Sequence, residues 1–303
     1  GFEWYYYNKR INKPIMAEFD QGTWVDDVEA SPDGQWLATS AAEGMVRIYE
    51  TRSWTLQKTF PTGSDSVHGL AWSNDNRKLA AACGDGNLHL WELSSGKELL
   101  KIATQLEGAN DVVFSPDGKT LYSCGGHLAK CWDAQTGEEQ LVFAGHTGEV
   151  NQIALSLDGS QLATASSDNS FAIWEAATAK QRLHQNPGLQ SRMVCVDFSP
   201  DGGFIAVGDI NGHVSIANTE SGSHRLLARE IDGVEDLKFI AEGQFLATAN
   251  RGGAVHLYST APKALSETTG PVTAALRWTA HSGRSLSLGS IGDGETLITG
   301  GRD

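Results

Sequence analysis

Cysteine is scarce in this chain of 303 residues and poorly placed for metal binding. Cys83, Cys124, Cys131 and Cys195 include no C-x-x-C pair, which removes the usual zinc spacing. All four sit in apolar runs, where a free thiol behaves as a small buried hydrophobe. Cys124 and Cys131 could face each other across a hairpin, so a disulfide stays open, with reduced thiols in a reducing compartment as the expectation. No apolar run approaches the roughly 18–20 residues that span a bilayer. Residues 1–20 also lack the apolar core of a secretory signal. Basic residues are few: 23 Lys and Arg stand against 37 Asp and Glu, a formal charge of −14. Phosphate backbones and anionic membrane surfaces are therefore poor partners. A cytoplasmic domain that uses its acidity for solubility is expected.

Catalytic signatures are missing as well. No G-x-S-x-G presents a nucleophile, no H-E-x-x-H gathers a metal, and no G-x-x-x-x-G-K-[ST] cradles a phosphate. The nine histidines are scattered singly. The sequence points to no catalytic, cofactor or metal site.

What the chain does have is repetition. "SPDG" at Ser31, "SNDN" at Ser73, "SPDG" at Ser115, "SLDG" at Ser156 and "SPDG" at Ser199 recur at spacings of 42, 42, 41 and 43. Weaker copies begin at Ile240 ("IAEG") and Ile291 ("IGDG"), a gap of 51. Counting on from Ile291 through the end and round from Gly1 to Ser31 gives 43, so the period survives the jump across the termini. Inside each unit an alternating run such as "VNQIALS" precedes a tight turn. A second apolar run, another turn, "FAIWE" and a looser strand follow. Four strands per unit make one antiparallel meander.

The segment "GHTGEVNQIALSLDGSQLATASSDNSFAIWE" (Gly145–Glu175) resembles a WD40 repeat throughout. "NLHLWE" and "AKCWD" resemble its last strand. The resemblance covers the chain and implies an all-β, seven-bladed WD40-like β-propeller. Its blades are expected at about 21–61, 62–104, 105–144, 145–187, 188–228, 229–279, and 280–303 joined to 1–20. The closing blade would take its first and second strands from the C-terminus, and its third and fourth from Phe2–Tyr7 and Lys13–Phe19, leaving no open sheet edge. "GFEWYYYNKR" also resembles the segment that precedes WD40 arrays in bacterial Ser/Thr kinase–WD40 fusion proteins. Its alternating aromatics read first as packing of the last blade.

In such blades the resemblance implies a buried polar network of His, Ser or Thr, Asp and Trp that fixes geometry. One unit carries it complete as His146, Ser166 (or Thr164), Asp168 and Trp174. The closing unit keeps His281, Asp303 and Tyr5. Elsewhere the His position holds Gln21, Gly63, Gln105, Leu189 and Glu230, and the Trp position becomes Tyr49, Ala217 and Tyr258.

Fold analogy implies a rigid platform for a protein or peptide, without cofactor and as a monomer. The loop entering each first strand and the second hairpin turn build the favoured face. They give as candidates Trp24, Asp26, Asp65, His68, Asn110, Glu149, Asn151, Arg192, Asp232, Glu235, Arg251 and Arg284. Trp24 reads as a surface anchor, with loop packing as the rival reading. The insertion at 259–278 is expected to be irregular at first and a strand from Val272 to Thr279. The alternative function is a regulatory module of a larger bacterial Ser/Thr kinase. A propeller hydrolase or lyase ranks below both.

Overall fold

Strand alternation needs a partner for each face, and the repeat supplies one by stacking meander against meander. In the computed structural model the described residues are 23–104, 106–188, 190–260, 271–291 and 296–302, with the backbone of strands at 2–7 and 14–19. Seven four-stranded antiparallel sheets form. Six are consecutive in the chain, covering 25–61, 67–103, 111–144, 150–185, 193–229 and 234–279. The seventh draws on both ends. Its order runs from β2 (Pro14–Phe19) through β1 (Phe2–Tyr7) and β28 (Thr296–Arg302) to β27 (Arg284–Ile291). Within it Phe2 lies opposite Gly300 and Tyr6 opposite Thr296. The protein is an all-β propeller whose closing blade is shared between the two termini.

Seven apolar clusters fill the gaps between neighbouring sheets. Leu88, Leu90 and Ile102 of the second sheet, for example, pack on Val112, Phe114, Leu121 and Trp132 of the third. Val25, Val28 and Leu37 of the first sheet meet Ile298 of the seventh, so the same packing carries across the closure. The small residues of the second strands, such as "LAAAC" at 79–83, let the sheets approach closely.

The recurrent tetrapeptide is a hydrogen-bonded turn. Ser31 Oγ donates to Asp33 Oδ1 at 2.7 Å, Asp33 accepts the Gln35 N–H, and Ser31 Oγ accepts the Trp36 N–H. The same wiring recurs at Ser73/Asp75, Ser115/Asp117, Ser156/Asp158 and Ser199/Asp201. Gly34 closes the turn at φ 68°, and Asn76 takes the equivalent place in "SNDN" at φ 60°.

Two expectations change. The strand foreseen from Val272 begins only at Leu276 and ends at Thr279. Val272 gives its N–H to Leu227 O, on the neighbouring fifth sheet, so this stretch crosses between sheets before it pairs. Residues 261–270 of the insertion lie outside the described residues. Cys124 and Cys131 do not oppose each other either, because Cys124 pairs with Ala129 and Cys131 with Tyr122. All four cysteines are free and buried, and burial pushes the Cys131 thiol up to about 11.

Candidate interaction face and channel

The first strand of each sheet is the innermost and walls a central channel of about 280 Å³. The ring is tied by polar side chains that reach from one first strand to the backbone of the next. Asp27 accepts the Leu70 N–H at 2.7 Å, and Asp111 accepts the Ile153 N–H at 3.1 Å. Gln152 accepts the Val196 N–H at 2.7 Å, and Asp236 the Leu288 N–H at 2.7 Å. Ser287 accepts the Val28 N–H at 3.1 Å and donates to Asp27. Asp197 does the same one step deeper, taking the Phe239 N–H at 2.8 Å. Across the channel Lys238 pairs with Glu29 at 3.1 Å, joining the sixth sheet to the first.

Crowding carboxylates in a narrow wall disfavours their charge. Burial raises Asp27 to about 7, with the nearby Glu29 and Asp236 adding to it and Ser287 opposing. Burial likewise lifts Asp197 and Asp236 to about 6, and Asp111 well above the usual carboxylate range. Asp27 and Asp111 keep part of their surface accessible to solvent, which moderates their shifts more than that of Asp236, which is 8% exposed.

One mouth of the channel gathers half of the candidates from the sequence. Asp26, His68, Asn110, Asn151, Arg192 and Glu235 line a polar funnel of about 170 Å³. Asn110 donates to Glu149 at 3.0 Å and to Val150 O, and Asn151 donates to Ser167 Oγ at 3.0 Å and to Met193 O on the fifth sheet. Both amides thus hold neighbouring sheets in place as well as facing the funnel. Glu235 gathers two cations, Arg284 at 2.6 Å and Arg251. Trp24 is 51% exposed and lies under the Arg302 guanidinium, 4.8 Å from the ring centre. Arg302 also pairs with Asp26 at 3.0 Å. Asp65 and Asp232 are exposed.

Sequence reasoning missed Arg302, although it stands in the hairpin position that supplied Arg251. It also missed Ile231, which is 96% exposed in the loop entering the sixth sheet.

In the fourth sheet the polar network closes through Thr164 rather than Ser166. Trp174 Nε1 donates to Thr164 Oγ1 at 3.0 Å, and that oxygen lies 2.7 Å from His146 Nε2. The Thr164 hydroxyl hydrogen then goes to Nε2, which leaves Nδ1–H to donate to Asp168 at 2.9 Å. Ser166 instead bonds Gly148 O at 3.2 Å, next to the turn. Burial lowers the His146 pKa and outweighs the pull of Asp168. Burial pushes Asp168 upward, but hydrogen bonds from Ser170, Thr147 N–H and His146 outweigh it and hold the carboxyl at about 2. In the seventh sheet His281 Nε2 meets Thr299 at 2.9 Å, while Asp303 and the Tyr5 side chain lie outside the described residues.

The sixth sheet keeps the network with its polarity reversed. Glu230 occupies the histidine position and accepts from Thr248, Asn250 and Tyr258. His256 stands 3.3 Å away. Burial alone would raise the Glu230 pKa; His256 and the donors prevail and bring it below the usual value.

The seryl, histidyl and aspartyl groups of the fourth sheet are wired unlike a nucleophile relay. Ser170 gives its hydroxyl hydrogen to Asp168, so that hydrogen is not directed at the imidazole of His184 2.7 Å away, as a relay would require.

A closed ring of seven sheets with a polar funnel at one mouth defines a β-propeller. The profile described as "WD domain, G-beta repeat" matches residues 15–50, 54–92, 99–133, 137–175 and 181–218, and the chain belongs to the WD40 family. Each match begins near the last strand of one sheet and runs through three strands of the next, so the repeat is offset from the blade. The chain is 25% identical to Protein groucho of Drosophila melanogaster, over 96% of its own length and 33% of that protein. It is 24% identical to Transcription factor unc-37 of Caenorhabditis elegans over 82% of its length, and 34% of that protein is covered. Telomerase protein component 1 of Mus musculus is 28% identical over 83% of the chain, which spans 10% of that protein. The chain thus spans about a third or less of these relatives. Among the described residues no helix is long and apolar enough to cross a membrane.

Proposed function

We propose that this chain is a non-catalytic platform that binds a protein or peptide on the face bearing the funnel. The observation that carries this reading is Trp24, half exposed and stacked under Arg302 beside the Arg251–Glu235–Arg284 cluster. A tryptophan held rigid by a cation offers large contact area at little ordering cost, and Trp and Arg dominate interface energetics. The ring of cross-blade hydrogen bonds keeps the loop bases fixed, so binding needs little rearrangement. The excess of carboxylates argues against nucleic acid as the partner.

The test is affinity capture from native extract with the parent chain and a Trp24→Ala/Arg251→Glu/Arg284→Glu variant of unchanged circular dichroism. Retention by the parent and loss by the variant supports the face. Equal retention by both moves the partner elsewhere on the ring.

The relatives' greater length supports a second reading, a propeller that serves as one module of a larger protein. The likeness of "GFEWYYYNKR" to kinase–WD40 fusions makes a Ser/Thr kinase the form of that reading to test. It predicts a kinase Gly-rich loop and H-R-D motif in the same reading frame.

A further inference from the structure

His146 and His184 are far apart in sequence, and the fold brings their rings together edge to face. Thr164, Ala172 and His184 are direct cross-strand partners, so their side chains share one face of the fourth sheet. His146 lies on that face through its bond to Thr164. The position of Ala172 holds Arg47, His89, Lys130, Ser215 or His256 in other sheets. Alanine leaves the space that the two imidazoles occupy, with ring centres 5.2 Å apart. Asp168 enters from the adjoining hairpin.

We propose that His146, Asp168 and His184 form a binding site for one divalent transition-metal ion of the zinc class at the periphery of the fourth blade. The ligand atoms, His146 Nδ1, an Asp168 carboxylate oxygen and a His184 ring nitrogen, all lie within 4.8 Å of one another. They converge on Ser170 Oγ, which sits 2.7 Å from His184 Nε2 and 3.2 Å from His146 Nδ1 and bonds Asp168. Small movements of the exposed His184 and of Ser170 bring these atoms to coordination distance, with water completing a tetrahedron. Two imidazoles and one carboxylate select zinc, copper or nickel over calcium and magnesium, which prefer all-oxygen sets.

The supporting groups suit this role. Metal on Nδ1 moves the imidazole proton to Nε2, which then donates to Thr164 Oγ1. The Thr164 hydroxyl has an alternative acceptor in Ala172 O at 3.5 Å. No net proton is released from His146, and the oxygen on Nε2 orients the ring. The Thr147 N–H, 2.9 Å from Asp168 Oδ2, steadies the carboxylate.

The experiment is calorimetric titration of zinc chloride into the metal-free full chain in a non-chelating buffer. It compares the parent with His184→Ala, and with His127→Ala as a control that removes an exposed histidine elsewhere. The expected result is one zinc per chain for the parent and the control, and affinity at least about tenfold weaker in His184→Ala. Cobalt(II) should give the intense visible absorption of a four-coordinate ion in the parent and lose it in His184→Ala. Because His184 is exposed on the outermost strand, that variant should keep its circular dichroism. Zinc binding of unchanged stoichiometry and affinity in His184→Ala overturns the proposal. So does a folded parent that takes up no stoichiometric zinc.

Discussion

Asp236→Asn probes the channel wall where the chemistry is best defined. Asp236 accepts N–H bonds from Leu288 at 2.7 Å and Leu237 at 2.8 Å, and one from Gln152 at 3.2 Å, tying the sixth sheet to the closing sheet. Burial leads the rise of its pKa from 3.8 to about 6, so the folded protein binds its proton more tightly than the unfolded chain does. The associated stability is fully present below the unfolded value and is lost as pH rises through the folded one. At about pH 8 both states are ionised and the contribution vanishes. At about pH 5 the folded group is mostly protonated and the unfolded group mostly ionised, a gain of about 1.4 kcal/mol. Asparagine lacks the titration and also removes the charge that helps raise Asp27 and Asp111, so their smaller acid-side contribution in the variant adds to the difference with the same sign. His146, Asp168 and Glu230, which owe no shift to Asp236, cancel. Urea unfolding of parent and variant across this range should show the parent gaining at least about 1.4 kcal/mol on the variant toward the acid end. A difference that is flat with pH, or that grows toward pH 8, refutes the argument and leaves Asp236 ionised in the fold.

Deleting residues 2–19 removes two of the four strands of the closing sheet and bares the edge of Thr296–Arg302. Aggregation on size exclusion, or a melting temperature lower by more than about 10 °C, is expected, and an equally stable monomer contradicts the closure. Thr164→Val strips the hydroxyl between His146 and Trp174 and leaves a buried indole N–H unpaired, at a cost of about 1–3 kcal/mol in urea unfolding. Ser166→Ala should cost less, since its bond to Gly148 O is longer and near the turn.

The fold was readable because its signals repeat. One Ser-x-Asp turn is ambiguous, but five in phase set the register of the sheets, and a period that continued across the termini implied the shared closure. The network was half readable. Thr164 and Ser166 are two residues apart on one strand and share a face, so spacing could not choose between them; the indole reach of Trp174 does. Glu230 departs from the histidine pattern in residue identity, whereas the structure preserves the bonds by exchanging donor for acceptor. Asp27 and Asp111 occupy equivalent first-strand positions two repeats apart, a regularity present in the sequence. Their direction into the channel depends on which strand is innermost, and that needs the closed ring. His184 gave no sign at all, because its nearness to His146 arises from pairing across three strands.

The closing sheet also determines how the ring responds to force. Phe2 lies opposite Gly300, so the two ends leave β1 and β28 side by side at the same end of one ladder. A load drawn through those ends strains the hydrogen bonds one after another, as a zipper is opened, rather than all together in shear. The seventh blade is then the clasp that yields first, while the other six, each a continuous stretch of chain, stay folded as an opened arc. A tether pulling on both ends would make this propeller a low-force release, reset when β1 finds β28 again.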